Sequence, residues 1–212
     1  MKKLLLILTL GLFLFDSYAQ EFKAGAIAGA AFSQVEGDTY TGFNRIGLAG
    51  GLYVSRSFSE LWEGQLEIVY KQKGSRHTPN ESKGDYSLYK LNLNYIEVPL
   101  LVKLKVNEIS FEAGAAFGTL IHSSEEDENG TITSIYPFED HELSGIVGVS
   151  YKFRPRMLVN LRWSAALTRA RKAYGGAFDH QKPVKWLGGK FGQYNHCFSL
   201  SLYYEFEGFM GN

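Results

Sequence analysis

The sequence predicts an all-β fold, an eight-stranded antiparallel up-and-down transmembrane β-barrel. Eight segments alternate apolar and polar residues with a period of two, which places the two kinds of side chain on opposite faces of a strand. The connections between these segments are alternately short and long. The chain also begins like an exported protein, yet it shows no apolar run long enough to act as a helical stop-transfer segment.

Residues 1–19 have the order of a secretory signal peptide. Two lysines precede twelve apolar residues that end at Phe15, and Ser17 and Ala19 occupy positions −3 and −1 of a cut after Ala19. Twelve residues are too few to span a bilayer core of about 30 Å as a helix, so a membrane anchor is the weaker alternative. We therefore expect the mature barrel domain to comprise residues 20–212.

Composition excludes some classes of partner. The chain has 22 basic and 22 acidic residues, and removal of the leader takes away two lysines and one aspartate, which leaves a formal charge of −1. Such a balance does not favour nucleic acid as a partner. Cys197 is the single cysteine, so the exported domain has no intramolecular disulfide. With five prolines and 15% aromatic residues, the composition favours β structure.

Each of the eight segments is about as long as a tilted strand needs to be to cross a membrane. Their approximate limits are 22–32, 45–56, 61–74, 91–105, 109–121, 142–153, 157–168 and 196–206. The first, second, fifth and sixth carry glycine and alanine on one face. The third places Leu66 and Glu67 on opposite faces, and the seventh does the same with Leu161 and Arg162. The eighth alternates leucine with serine and tyrosine.

The fourth segment contains the stretch YIEVPLLVKLK, residues 95–105. Its apolar alternate residues are expected to face lipid, whereas Glu97, Leu101 and Lys103 are expected to face the lumen. Pro99 cannot donate to a strand ladder, and a closed barrel has no edge at which a proline could be placed. We therefore expect a bulge or a locally missing hydrogen bond at Pro99.

The lengths of the connections indicate how the barrel is oriented. Short links near 57–60, 106–108 and 154–156 alternate with long ones near 33–44, 75–90, 122–141 and 169–195. In an up-and-down sheet, alternate links fall at the same end. Outer-membrane barrels have short periplasmic turns and longer outside loops. We therefore expect a bacterial outer-membrane protein in contact with outer-membrane lipid and lipopolysaccharide. A soluble lipocalin-like barrel would place its apolar face inward instead.

The stretch NYIEVPLLVKLK, followed by FEAGAAFG and preceded by a leader that ends in Ala-Gln, resembles the PorT-like outer-membrane β-barrel family of Bacteroidota. The resemblance extends over nearly the whole mature chain through strand order, glycine-rich first strands and the terminal LSLYYEF, and Tyr95–Leu100 is its most specific part. It implies an eight-stranded barrel in the cell envelope. One branch of that family is associated with type IX protein secretion, and the resemblance implies no catalytic residues.

An eight-stranded barrel is just wide enough for side chains to fill it. We expect Arg162 to cross the lumen to Glu67 or Glu97, because a guanidinium can bridge carboxylates in a fork geometry. The expected lumen network is Glu63, Glu67, Glu97, Lys103, Arg162 and Glu205. A network of paired charges would close the path for solutes.

The third and fourth long connections have opposite charge and emerge on neighbouring hairpins. They could attract each other and form a cap, or they could bind a partner such as another envelope protein. The candidate partner-binding residues are Glu126, Asp127, Arg171, Lys172, Lys185 and Trp186. Two alternatives remain open, namely Ca²⁺ at Asp127 and Asn129, or lipopolysaccharide phosphates at the basic loop.

Enzymatic and metal-dependent functions have weak support in the sequence. The five histidines lack the spacing of a metal site, so no metal and no cofactor are expected. Residues near the third long connection include the components of a Ser/His/acid hydrolase, but no nucleophile elbow is present. These residues are His122, Ser123, Ser124, Glu139, His141 and Ser144. We predict a non-enzymatic protein that acts through its loops or within an assembly. The alternatives are a type IX secretion accessory, a narrow porin-like channel or a lipid-modifying enzyme.

Overall fold

The computed structural model describes residues 22–38, 40, 42–132, 137–172 and 192–207. The predicted signal peptide lies outside these residues. The strands in chain order are β1 (Phe22–Glu36), β2 (Arg45–Ser57), β3 (Trp62–His77), β4 (Tyr89–Val106), β5 (Ile109–Asp127), β6 (Gly130–Thr131), β7 (His141–Arg154), β8 (Met157–Ala166) and β9 (Tyr194–Glu205). A short 3₁₀ helix covers Glu81–Lys83. Within the described ranges, no helix combines the length and the apolar character that a membrane crossing requires.

Eight of these strands form a closed antiparallel barrel, which confirms the predicted fold class. Each strand pairs with its neighbour in the chain, and β1 pairs with β9 to close the sheet. The two-residue β6 pairs only with the end of β5, and the two form a short hairpin. The described short turns lie between β2 and β3, β4 and β5, and β7 and β8, all at one end of the barrel. We call this the short-turn end and the opposite one the long-loop end.

The apolar face of each strand points outward, as the alternation predicts. Leu66, Val149 and Leu202 are 43%, 36% and 40% exposed, whereas Glu67 and Arg162 are 1% and 4% exposed. A continuous apolar surface of this kind is unfavourable in water and marks contact with lipid. The polar side chains therefore meet inside the barrel.

Several strands extend further toward the long-loop end than predicted. β1 continues to Glu36, β3 to His77 and β5 to Asp127, so Glu126 and Asp127 belong to a strand and not to a loop. The reason is an apolar cluster inside this part of the barrel, which rewards continued pairing of the strands. Its buried members are Val35, Tyr89, Leu91, Leu93, Tyr95 and Ala170.

Pro99 interrupts one ladder without a change of register. Between β3 and β4 the pairing runs from Trp62↔Leu104 to Leu66↔Leu100 and resumes at Val69↔Glu97, so two successive pairs are missing opposite Pro99. The register is the same on both sides of the gap, which excludes a bulge at this position. The gap agrees with the other outcome expected from the sequence, a locally missing hydrogen bond, because proline has no N–H group to donate.

Candidate functional site

Arg162 on β8 crosses the lumen and binds two carboxylates. Its Nη1 and Nη2 donate to the two oxygens of Glu67 at 2.8 and 2.9 Å, and its Nε donates to Oε1 of Glu112 at 2.7 Å. The contact with Glu67 is the paired fork geometry that a guanidinium favours. Of the two partners that the sequence suggested for Arg162, the structure selects Glu67, and it adds Glu112 as a further one.

Neighbouring side chains complete this arrangement. The Tyr203 hydroxyl accepts a hydrogen bond from Arg162 at 2.9 Å and donates to Glu67 at 3.1 Å, and the Asn160 amide donates to Glu112 at 2.9 Å. Lys103 lies 3.6 Å from Oε2 of Glu112. The Arg162 cluster, defined as Arg162, Glu67, Glu112, Lys103, Tyr203 and Asn160, therefore pairs two cations with two carboxylates.

A glycine makes room for this cluster. A Cβ atom at Gly148 on β7 would lie 2.5 Å from Oε1 of Glu112, which is the oxygen that accepts from Arg162. Glycine on one wall of the barrel thus allows a long charged side chain to occupy the lumen. Since an eight-stranded barrel has little interior space, small residues on some strands are needed wherever others carry arginine or glutamate.

Glu97 belongs to a second cluster, nearer the long-loop end. Its oxygens pair with Lys71 at 2.7 Å and with Lys73 at 2.5 Å, and Lys73 also pairs with Glu142 at 2.6 Å. We define the Lys73 cluster as Lys73, Lys71, Glu97, Glu142, Asn195 and Tyr95; Asn195 donates to both Glu142 and Tyr95. Sequence reasoning did not include Lys73 or Glu142 in the lumen network.

The distance along β4 explains why Glu97 does not reach Arg162. Glu97 and Lys103 are six residues apart on this strand, which corresponds to roughly 20 Å of extended chain. Lys103 lies beside the carboxylate that Arg162 binds, whereas Glu97 lies well toward the other end. The predicted single network is therefore two clusters stacked along the barrel axis.

Glu63 and Glu205 lie below both clusters, at the short-turn end. Glu63 lies 3.9 Å from the Lys105 ammonium, and Glu205 lies 3.5 Å from that of Lys23. Both glutamates line a cavity of about 310 Å³ whose other walls include Lys103. The structure therefore separates these two predicted network residues from Arg162.

At the long-loop end, Arg171 joins the third and fourth connections. Its guanidinium donates to both oxygens of Glu125, at 2.6 and 3.3 Å, and lies 3.7 Å from the ring centre of Phe138. The Tyr89 hydroxyl donates to Glu125 at 2.6 Å, and Lys172 pairs with Glu139 at 3.1 Å. Contacts between the acidic and basic connections are thus present at their bases.

The remaining predicted loop residues are distributed differently. Glu126 pairs with Lys90 on the neighbouring strand at 3.3 Å. Asp127 accepts a hydrogen bond from the backbone of Asn129 at 2.8 Å, which is the geometry of a local turn. Lys185 and Trp186 lie outside the described residues.

Asp38 lies near the same mouth of the barrel, just beyond the end of β1. Its Oδ1 accepts the backbone N–H of Tyr40 at 3.0 Å. Burial raises the pKa of Asp38 to about 6, against the opposing effect of hydrogen bonds from Ser75 and Tyr40. The nearby Glu125 carboxylate raises it further. This carboxyl group therefore changes its charge near neutral pH.

The components of the suggested hydrolase do not form a catalytic arrangement. His141 contacts Thr119 at 3.5 Å and packs against Phe117, and Glu139 pairs with Lys172. Ser144 is buried in the barrel. Among the residues that the structure describes, no group of three or more histidine, cysteine, aspartate or glutamate side chains could hold a metal ion.

Comparison with known proteins agrees with this architecture. A family model described as outer membrane protein beta-barrel domain matches residues 18–170. The solved structure of Neisserial surface protein A is 11% identical, with a TM-score of 0.53 over 87% of this chain and 97% of that one. Ail, the attachment invasion locus protein of Yersinia pestis, solved in complex with the heparin analogue sucrose octasulfate, is 14% identical, with a TM-score of 0.49 over 88% and 99%. No curated protein matches the chain.

Proposed function

The chain belongs to the outer membrane protein beta-barrel domain family, and from that premise we propose that it is a non-enzymatic protein whose lumen is closed by its own side chains. It acts through its extracellular loops or as a subunit of an outer-membrane assembly. Its apolar outer surface contacts outer-membrane lipid and lipopolysaccharide. Because such barrels turn briefly in the periplasm and carry longer loops outside, the short-turn end is periplasmic and the long-loop end is extracellular.

The observation that carries this proposal is the bridge from Arg162 to Glu67 and Glu112. These side chains are buried in the lumen, and their charged groups are bound to each other instead of lining an open path. The Lys73 cluster adds a second layer nearer the outside. Two stacked layers of paired charges oppose the passage of solutes and leave the loops as the surface on which function depends.

Conductance in planar lipid bilayers tests the closed lumen. The purified protein should insert without discrete conductance steps. A matched variant that removes both layers carries alanine at Arg162, Glu67 and Glu112 and at Lys73, Glu97 and Glu142, and it should produce measurable steps. Stable steps from the unaltered protein would instead support the narrow porin-like alternative and contradict the closed lumen.

A role for the loops is supported by the way in which their bases are held. Arg171 joins Glu125 and Phe138, and Lys172 joins Glu139, so neighbouring connections present a defined surface. Another envelope protein is the partner we expect at this surface. Because its charges have both signs, the partner would need a complementary mixed surface.

Affinity purification from native outer membranes in mild detergent tests this role. A partner present in near-equal amount with the unaltered chain should be lost with Lys172→Glu, at the loop surface. It should be retained with Glu60→Lys, at the exposed periplasmic turn. Loss with the turn variant alone would place the contact on the periplasmic side and contradict the loop surface.

The finer proposal, a PorT-like accessory of type IX secretion, is supported by the sequence resemblance at Tyr95–Leu100. In the barrel these residues alternate between lumen and lipid, so their pattern also serves to build the wall. Deletion of the gene in its own host, followed by measurement of type IX cargo at the cell surface, tests the proposal. Unchanged cargo levels would contradict it.

A further inference from the structure

The cavity at the periplasmic end has a chemistry that the closed lumen does not use. Its volume is about 310 Å³, and its walls include residues of two short turns, Asn107, Glu108 and Arg156, so its mouth lies among these turns. Its lining contains five basic and three acidic side chains. The basic residues are Lys23, Lys103, Lys105, Lys152 and Arg156, and the acidic ones are Glu63, Glu108 and Glu205.

Three lysines around this cavity are only loosely paired. The Lys23, Lys103 and Lys105 ammonium groups lie 3.5, 3.6 and 3.9 Å from their carboxylates, and these are the longest of the ion pairs observed in the described chain. A charge-assisted hydrogen bond between an ammonium and a carboxylate is about 2.7–2.9 Å long. The pairs of the Lys73 cluster are at least as close, at 2.5–2.7 Å. Lys105 uses one donor on the Ser57 hydroxyl at 2.8 Å. The remaining N–H donors of the cavity lysines are available to another acceptor.

Lys103 is the most informative of them because it is almost fully buried. Its side chain is 4% exposed. Its described contacts are Glu112 at 3.6 Å and the face of the Tyr203 ring at 5.5 Å. An ammonium group has three N–H donors, and burying such a charge without close acceptors is unfavourable. An oxyanion that entered the cavity would satisfy it.

We propose that this cavity binds a small polyol phosphate from the periplasm. The lysine ammonium groups would donate to the terminal phosphate oxygens. Hydroxyl groups of the ligand would donate to Glu63, Glu108 and Glu205, whose ionised carboxylates can accept hydrogen bonds but cannot donate them. The mixed charge of the lining thus favours a ligand with a phosphate at one end and hydroxyl groups at the other. The site goes beyond the closed-lumen proposal, because a ligand can occupy it while the Arg162 cluster stays intact.

Isothermal titration calorimetry on the full mature chain in phosphatidylcholine nanodiscs tests the proposal, with glycerol 3-phosphate as the probe. We expect saturable binding of glycerol 3-phosphate, weaker binding of inorganic phosphate and no binding of glycerol. Lys103→Met and Lys152→Met should each weaken binding on the order of tenfold, as expected for the loss of a charge-assisted hydrogen bond. Lys152→Met removes a charge from the cavity lining and serves where Lys103→Met does not fold. The matched control is Lys90→Met, at the extracellular end, which should bind normally.

Three outcomes would overturn the proposal. They are no binding of glycerol 3-phosphate by the unaltered chain, equal loss with Lys90→Met, and equal or tighter binding of inorganic phosphate or succinate. Nanodiscs that also contain phosphatidic acid separate the soluble ligand from a lipid headgroup. Unchanged affinity there supports a soluble polyol phosphate, whereas competition by phosphatidic acid would overturn that assignment. Because conductance does not enter these measurements, failure here leaves the test of the closed lumen unaffected.

Discussion

Replacing Arg162 with methionine should destabilise the barrel strongly. The change removes three hydrogen bonds to carboxylates, two at Glu67 and one at Glu112, and a fourth at Tyr203. Removing one partner of a buried ion pair typically costs about 3–5 kcal/mol, because the other charge stays buried without compensation. Two carboxylates lose their partner here, although Asn160 and Lys103 still support Glu112. We therefore expect the free energy of unfolding to fall by about 3–5 kcal/mol.

Urea unfolding in detergent micelles, followed by tryptophan fluorescence, measures this change. Arg162→Lys keeps the charge but loses the fork, so it should lose about half as much stability. Combining Arg162→Met with Glu67→Gln leaves one cation, Lys103, beside one carboxylate, Glu112, so no charge is uncompensated and most of the loss should be recovered. A loss below about 1 kcal/mol for Arg162→Met would refute the reasoning. A double variant that is no more stable than Arg162→Met alone would refute it as well.

Three further predictions concern the mouth, the lipid face and the packing of the wall. Burial raises the pKa of Asp38 to about 6, so folding takes up a proton at this group between pH 4 and 6. The free energy of unfolding should therefore rise by up to about 3 kcal/mol as the pH falls from 7 to 4. Asp38→Asn should remove that part of the dependence in thermal unfolding; an identical pH profile would contradict it. Leu100→Arg, on the lipid face, should cost about 2–4 kcal/mol in lipid vesicles, whereas His122→Arg, on an exposed polar part of β5, should cost little. Equal costs would contradict the assigned lipid belt. A Cβ at Gly51 would collide with the Ile68 carbonyl oxygen, while one at Gly145 meets open space, so Gly51→Ala should lose about 1–3 kcal/mol in urea unfolding and Gly145→Ala almost nothing. Similar stability of the two alanine variants would show that the wall tolerates the added atom.

The inward and outward faces of the strands could be predicted from sequence because the period of two is a property of the extended backbone itself. It places Leu66 and Glu67 correctly without knowledge of any contact. The same count points Lys73 inward, two residues after Lys71, so a signal for the second cluster was present. Glu142 was left out of the expected network because it is the first residue of its segment and directly follows an acidic connection. Which charges meet across the lumen depends on the stagger of the strands, which a single sequence does not contain.

A one-residue irregularity in β5 shows where counting fails. Tyr95 pairs with Leu120, but the preceding Asn94 pairs with His122, so Ile121 is an extra residue on β5. An inserted residue moves every later side chain to the opposite face of the sheet. Counting from the inward Glu112 therefore predicts that Glu125 points outward. The shift turns Glu125 inward to meet Arg171 and Tyr89. In sequence, the acidic run around Glu125 looks uniformly solvent-exposed. The bulge turns this one carboxylate toward Arg171, the residue that joins the third and fourth connections.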